Sequence, residues 1–495
     1  MTTATAPIDI ATTPTSGPET PPPEPVLRPA AKRRIALASL AGTTIEFYDY
    51  FIYGTAAALV FNKVFFPGLD ATLGALAAFA TLSVAFVFRP IGSILFGHIG
   101  DRLGRKRTLI ITLMLMGLCT VGVGLMPGAA SIGVLAPVLL ILLRACQGLA
   151  VGGEWAGAAL FATENAPEGR RGRYALFPQL GACIAFAFAA LTFLVVDLSI
   201  GETSDAFVAW GWRIPFLLSA VLIAVGLYVR LHTAETPVFT RARRQGGTTR
   251  APFVEVWRRQ TRTMLLAIGV TTGIFGAMTV GSVYLTSYAT ATLGLSQSTI
   301  LLIDVVAALA SGATTVLAAL WSDRIGRRRL VLTGCLALAV WSLVLFPLMA
   351  IGSSLAVGTG ITVLLALVGV AYGPLGAYLP EMFATRYRYT GAGLSYNLGG
   401  VAGGAVILLL AAPLAASAWG ATALGVYMAT MLLVSAGCLL ALPETRHRSL
   451  IRRPSEQAGR ASGATGLLAA AVPGEPTVPP DDGQRTEIAA RAALS

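Results

Sequence analysis

Twelve apolar runs, most of them about twenty residues or longer and nearly free of charge, leave this chain few folds to choose from. They cover roughly 35–61, 72–97, 107–126, 133–162, 174–197 and 213–232, then 263–290, 299–320, 330–350, 357–380, 391–415 and 418–442. A helix of about 20 residues crosses the hydrocarbon core of a bilayer. Backbone groups in lipid must be satisfied inside the protein, and runs of this length suit helices rather than tilted barrel strands. Composition agrees: only 36 basic and 24 acidic residues occur among 495, and 55% are apolar. About a quarter of a water-soluble domain is charged, which argues against a cytosolic enzyme of two or three domains. The expectation is an all-α membrane protein with twelve transmembrane helices.

A formal charge of +12 would suit nucleic acid if the basic residues formed one patch. They do not. Of the 36 Lys and Arg residues, 32 fall in the two tails and in the even-numbered connections between runs. Lys63 and Arg213 stand on the opposite face, and Arg89 and Arg144 lie within apolar runs. Short cytoplasmic loops carry the excess of Lys and Arg. Both termini are therefore expected in the cytoplasm, with the chain multi-pass in the plasma (inner) membrane. The basic rim would meet anionic lipid headgroups, and no nucleic-acid partner is expected. The five cysteines are scattered through apolar runs and the three histidines are far apart, so neither a metal nor a cofactor is expected.

Residues 1–34 and 443–495 read as disordered cytoplasmic tails, rich in Pro, Gly and polar residues. Between them the chain repeats itself. Asp101-Arg102-Leu103-Gly104-Arg105-Lys106-Arg107 recurs as Asp323-Arg324-Ile325-Gly326-Arg327-Arg328-Arg329, each copy after the second helix of six. A weaker echo links Glu164, Arg170 and Arg171 with Glu381, Arg386 and Arg388. The expected organisation is a six-helix bundle over 35–232, a cytoplasmic loop over 233–262 and a second bundle over 263–442. Two pseudo-symmetric bundles around a midplane site are a transporter architecture.

Specific motifs sharpen this. Gly97-His98-Ile99-Gly100-Asp101-Arg102-Leu103-Gly104-Arg105-Lys106 resembles the signature loop of the major facilitator superfamily, and Ser322 to Arg329 resembles its second-half copy. Four further stretches resemble the metabolite:proton symporters, which carry proline/betaine, shikimate, citrate and 2-oxoglutarate. They are Gly42 to Gly54, Arg89-Pro90-Ile91-Gly92, Gln147 to Trp155, and Gly211-Trp212-Arg213-Ile214-Pro215-Phe216. The resemblance covers about residues 35–445. It implies the major facilitator fold, and a latch between the halves built from Gly97, Asp101, Arg102, Gly104 and Arg105 with Asp323, Arg324, Gly326 and Arg327.

Charges inside apolar runs are costly unless they face a partner or water, so they mark candidate sites. Glu46 and Asp49 are three residues apart and share one face of the first helix, with Tyr53 near by. Arg144 opens Arg-Ala-Cys-Gln-Gly, which resembles the superfamily's fourth-helix motif, where the arginine neighbours a proton-handling acid. Asp49, Glu46, Arg144 and Glu154 are thus candidates for proton coupling. A permanent Asp49–Arg144 pair that only fixes packing stands beside that reading. Tyr53, Arg89, Asp304, Tyr372 and Asn397 are candidates for the substrate cavity, although Arg89 equally suits snorkelling or a neighbouring acid. Tyr372 and Asn397 equally suit helix packing.

The function expected is proton-coupled symport of a small carboxylate-bearing metabolite, an organic acid or a proline/betaine-like osmolyte, by a monomer. No phosphate-binding loop offers ATP a cradle, so the drive would be a gradient. Export by proton antiport is the alternative, and a non-transporting membrane sensor or enzyme is a distant third.

Overall fold

The computed structural model describes residues 29–103, 105–164, 166–167, 169–201, 204–232, 252–384 and 387–448. Twelve long helices run through them. In the first half these are α1 (Pro29–Leu59), α2 (Ala71–Leu103), α3 (Arg105–Leu125), α4 (Leu135–Glu164), α5 (Arg171–Ile200) and α6 (Arg213–His232). The second half holds α7 (Thr261–Ala291), α8 (Gln297–Ile325), α9 (Arg327–Met349), α10 (Ser354–Met382), α11 (Arg388–Ala415) and α12 (Ala421–Leu440). Eleven spans are long and apolar enough to cross a membrane. The exception, α1, is diluted by Glu46, Asp49 and three tyrosines, all of which are buried inside the protein. Large apolar side chains such as Leu118, Val134, Leu198 and Leu355 are exposed on the outside, where water would not tolerate so many and lipid does.

Glycines set how closely the helices approach. A Cβ on Gly148 of α4 would collide with the Ala85 backbone of α2, and one on Gly152 with Arg89 O. The second half repeats this contact: Gly369 and Gly373 of α10 meet Ser311 O and Thr315 O of α8. Small residues of this kind let backbones pack tightly in lipid, where no hydrophobic force drives helices together. The halves join along α2–α11, α5–α8 and α1–α7. Both α7 and α11 loosen into a single π-helical turn, at Val280–Tyr284 and Val401–Ala405, a feature often found at functional sites.

The expected loop over 233–262 contains a short helix, Pro252–Arg259. Val256 is buried while Trp257, Arg258 and Arg259 face outward. The Gly211–Phe216 motif acquires a structural role. Trp212 and Phe216 join Phe61 and Phe65 in a buried aromatic cluster, with Phe61 and Trp212 centroids 5.4 Å apart. Arg213 donates to Gly124 O at 2.9 Å and Met126 O at 2.6 Å. It thereby satisfies carbonyls at the end of α3 that the helix itself leaves open.

Candidate functional site

Three groups of polar residues lie inside the bundle. The first belongs to the amino-terminal half. Asp49 of α1 is 5% exposed; its Oδ1 accepts from Thr120 Oγ1 at 2.5 Å and from Gln147 Nε2 at 2.8 Å. Its Oδ2 lies 3.4 Å from Arg144 Nη1. Arg144, 1% exposed, also donates to Gln147 Oε1 at 2.7 Å, and its guanidinium carbon sits 3.7 Å from the centre of the Tyr53 ring. The Tyr53 hydroxyl is 2.6 Å from Thr81 Oγ1 of α2. One carboxylate thus has a cation and two neutral donors around it, sealed from lipid by four helices. A carboxylate so placed can exchange its cation for a proton when the environment changes.

The second group lies where the halves meet. Trp155 of α4 stacks on Tyr396 of α11 with centroids 3.7 Å apart and rings 7° from parallel. Trp155 Nε1 donates to Gln179 Oε1 at 2.9 Å, and Gln179 Nε2 donates to Tyr372 O at 2.7 Å. The hydroxyls of Tyr372 and Tyr396 are 3.0 Å apart. Glu46 and Arg89, both buried, lie within electrostatic reach of these two tyrosines. Beside them is a cavity of about 30 Å³, lined among others by Phe51, Cys183, Phe186, Ser282, Ser311 and Tyr372. That space suits water, whereas metabolite pockets run to about 300–1,000 Å³. A metabolite would need more room at this place than the cavity offers.

The third group lies on the face that carries the basic connections. Asp323 accepts from Gly172 N at 2.9 Å and Arg173 N at 3.0 Å, at the start of α5 in the other half, and pairs with Arg327 at 2.7 Å. Two cross-half ion pairs flank it, Arg171–Glu381 at 3.6 Å and Arg388–Glu164 at 3.3 Å. The weak echo read in the sequence is therefore a reciprocal pairing, each half's acid meeting the other half's arginine. Glu381 also lies 3.4 Å from Arg327 and accepts from Thr445 Oγ1 at 2.6 Å. Glu444 accepts from the amides of Arg327 and Arg328 at the start of α9. Neither Glu444 nor this cross-pairing was foreseen.

The expected site residues scatter among these groups. Asp49 and Arg144 come together, but Tyr53 lies under Arg144 and does not line the cavity. Asp49 and Tyr53, one turn apart, point into the first half; Glu46 and Tyr50, also one turn apart, point toward the second, where Tyr50 is 3.3 Å from Thr279. Glu154 is buried just past the Gly152–Gly153 break in α4. Asn397 is outside the lining of this cavity: its Nδ2 donates to Gly152 O at 2.7 Å and Ser93 Oγ at 2.8 Å, holding α11 to α2 and α4. Asp304 is also away from the cavity lining, with Oδ2 accepting from Thr286 at 3.1 Å. Of the five cavity candidates, Tyr372 lines it. Arg324 is exposed, and Gly326 takes φ 113°, turning the chain from α8 into α9. In the first copy of the motif, Gly104 and the side chains of Asp101, Arg102 and Arg105 lie outside the described residues, and Gly97 is described only as helical backbone. Thr120, Gln147, Trp155 and Gln179 were missed as site residues. Gln147 and Trp155 stand in a quoted motif, but nothing in the spacing alone says which helix each would meet.

The Asp323 contacts between the halves support a prediction. A carboxylate at a helix N-terminus is worth up to ~2 kcal/mol when partly buried, and Asp323 is the group that holds the start of α5. Asp323→Asn should raise hydrogen exchange at the Gly172 and Arg173 amides by about 10–30-fold. Unchanged exchange there would show that Asp323 does not hold the start of α5.

Paired six-helix bundles, a buried acid–arginine network and a small cavity at the junction define a membrane transporter. A family model described as sugar (and other) transporter matches residues 35–254 and 246–455. The inner membrane metabolite transport protein YhjE of Escherichia coli (strain K12) is 42% identical over 85% of this chain and 96% of its own. The shikimate transporter of the same organism is 36% identical over 86% and 98%, and the proline/betaine transporter of Salmonella typhimurium is 33% identical over 74% of each. A solved structure of the proton:xylose symporter XylE of the major facilitator superfamily superposes with a TM-score of 0.66, at 19% identity, over 85% of this chain and 98% of that one. The chain belongs to the sugar (and other) transporter family and has the fold of a major facilitator superfamily symporter. It is a multi-pass plasma-membrane transporter, not an enzyme.

Proposed function

We propose that this protein is a proton-coupled symporter of a small carboxylate-bearing metabolite, with Asp49 as the proton carrier. The observation that carries the proposal is the Asp49 network: one buried carboxylate with a 3.4 Å cation and two hydrogen-bond donors, inside a span. Protonation releases Arg144 and removes a charge from the interior; deprotonation restores the pair. Such a change drives transport only if it favours the loaded, closing state over the empty one. Relatives named for shikimate and for proline/betaine support a carboxylate-bearing substrate. The basic connections support an orientation with both termini in the cytoplasm, so the Asp323 latch closes the inner face. Each half supplies its own part of the site, so a monomer suffices.

The test is proton movement itself. Adding shikimate, proline or glycine betaine outside weakly buffered proteoliposomes should make the outside more alkaline, in step with uptake of the compound that is carried. Uptake without any proton movement would contradict the proposal.

A further inference from the structure

The buried arginines of the described residues fall into two kinds. Arg144 pairs with Asp49, Arg171 and Arg327 with Glu381, and Arg388 with Glu164. Arg89 is the other kind. It is 6% exposed, yet among the described residues no carboxylate lies within ion-pairing distance of it, and its Nε has no hydrogen-bond partner. Its guanidinium carbon lies 4.7 Å from the Phe86 ring centre and 5.9 Å from that of Tyr50. Aromatic faces offset part of the cost of burying a cation, but a guanidinium does not shed its proton. The charge stays, and an anion would complete it.

The surroundings fit such an anion. Arg89 lies in α2 three residues before Gly92, where the helix closes on the Leu149 backbone of α4, on the surface where α1, α2, α4 and α11 converge. Phe86, one turn before it, touches the glycines of α11, since a Cβ on Gly400 or Gly404 would meet its ring. Parting the halves therefore uncovers Arg89's neighbourhood. The same surface carries the Tyr372–Tyr396 hydroxyl pair, within electrostatic reach of Arg89. A planar guanidinium matches a carboxylate with two parallel hydrogen bonds.

We propose that Arg89 receives the substrate's carboxylate, and that the substrates are monocarboxylates, zwitterions included, rather than neutral sugars or di- and tricarboxylates. Among the described buried arginines, the others already have carboxylate partners, so a second substrate carboxylate finds no free cation. It would also approach Glu46, whose charge reaches the same two tyrosines, and like charges brought together in an interior oppose binding. The assignment rests on the transporter reading but not on proton coupling.

Binding to the purified full-length protein in detergent, without any gradient, tests it. The probes are shikimate, proline, glycine betaine, citrate, 2-oxoglutarate and xylose, with methyl shikimate and prolinamide as partners lacking the carboxylate. At least one monocarboxylate should bind, and its ester or amide should bind about 100-fold more weakly. Arg89→Gln should lose about the same factor, with Arg89→Lys in between. Should Arg89→Gln fail to fold, the comparison of acid with ester on the unaltered protein still decides. Equal binding of acid and ester, preference for citrate, 2-oxoglutarate or xylose, or binding of no carboxylate at all would overturn the assignment. Because no proton gradient enters, a failure of symport and a failure of this assignment are distinguishable.

Discussion

Asp49→Asn should reduce proton-driven accumulation to the level of empty liposomes while counterflow exchange of the same substrate persists. The amide retains the acceptor oxygen that Thr120 and Gln147 address, so the local hydrogen bonds survive. It removes the negative charge and the proton site together. Arg144 loses its counter-charge but retains Gln147 Oε1 and the Tyr53 face. Exchange needs only the loaded carrier to move between its two faces; net uphill accumulation needs the proton as well. The competing account, a pair that only holds helices together, makes a different prediction. Breaking a buried ion pair by removing one partner costs about 3–5 kcal/mol, so folded protein and both transport modes would fall together. Assaying both modes on protein of equal monodispersity separates the two accounts.

Gly148→Val should be among the most damaging substitutions in the first half. An added Cβ would meet Ala85 O and lie 2.9 Å from Ala85 Cα, both backbone atoms that cannot rotate away. Overpacking costs about 1–3 kcal/mol where side chains can give; here α2 and α4 must separate along a contact that also includes Gly92 and Gly152. Little folded protein should survive detergent extraction and gel filtration. Gly437→Val in α12, where nothing lies within 4 Å of the new Cβ, should elute as the parent does. Similar yields for the two variants would show that the α2–α4 crossing is looser than described.

The helices were legible because lipid imposes one rule on every span, and the apolar runs mark it directly; most ends agree within a few residues. The closing of α5 onto α8 and of α2 onto α11 was not, because helix pairing depends on side chains far apart in sequence. Asp49 with Arg144 was anticipated from charges that have no business in lipid, whereas their neutral partners Thr120 and Gln147 carry no such mark. Tyr53 and Asn397 show the limit from the other side. Both are polar and in spans, yet a rotation of tens of degrees about the helix axis decides between cavity and packing. The echo of Glu164 and Arg171 in Glu381 and Arg388 revealed the repeat, but its crossing between halves required coordinates.

The central claim is that protons drive substrate inward. Uptake into proteoliposomes with an imposed inward proton gradient tests it most directly, using labelled proline, betaine, shikimate, citrate and 2-oxoglutarate, with and without a protonophore. One monocarboxylate should accumulate above its external concentration and be lost when the protonophore is added. Accumulation that ignores the protonophore, or preloaded compound leaving as protons enter, would contradict symport.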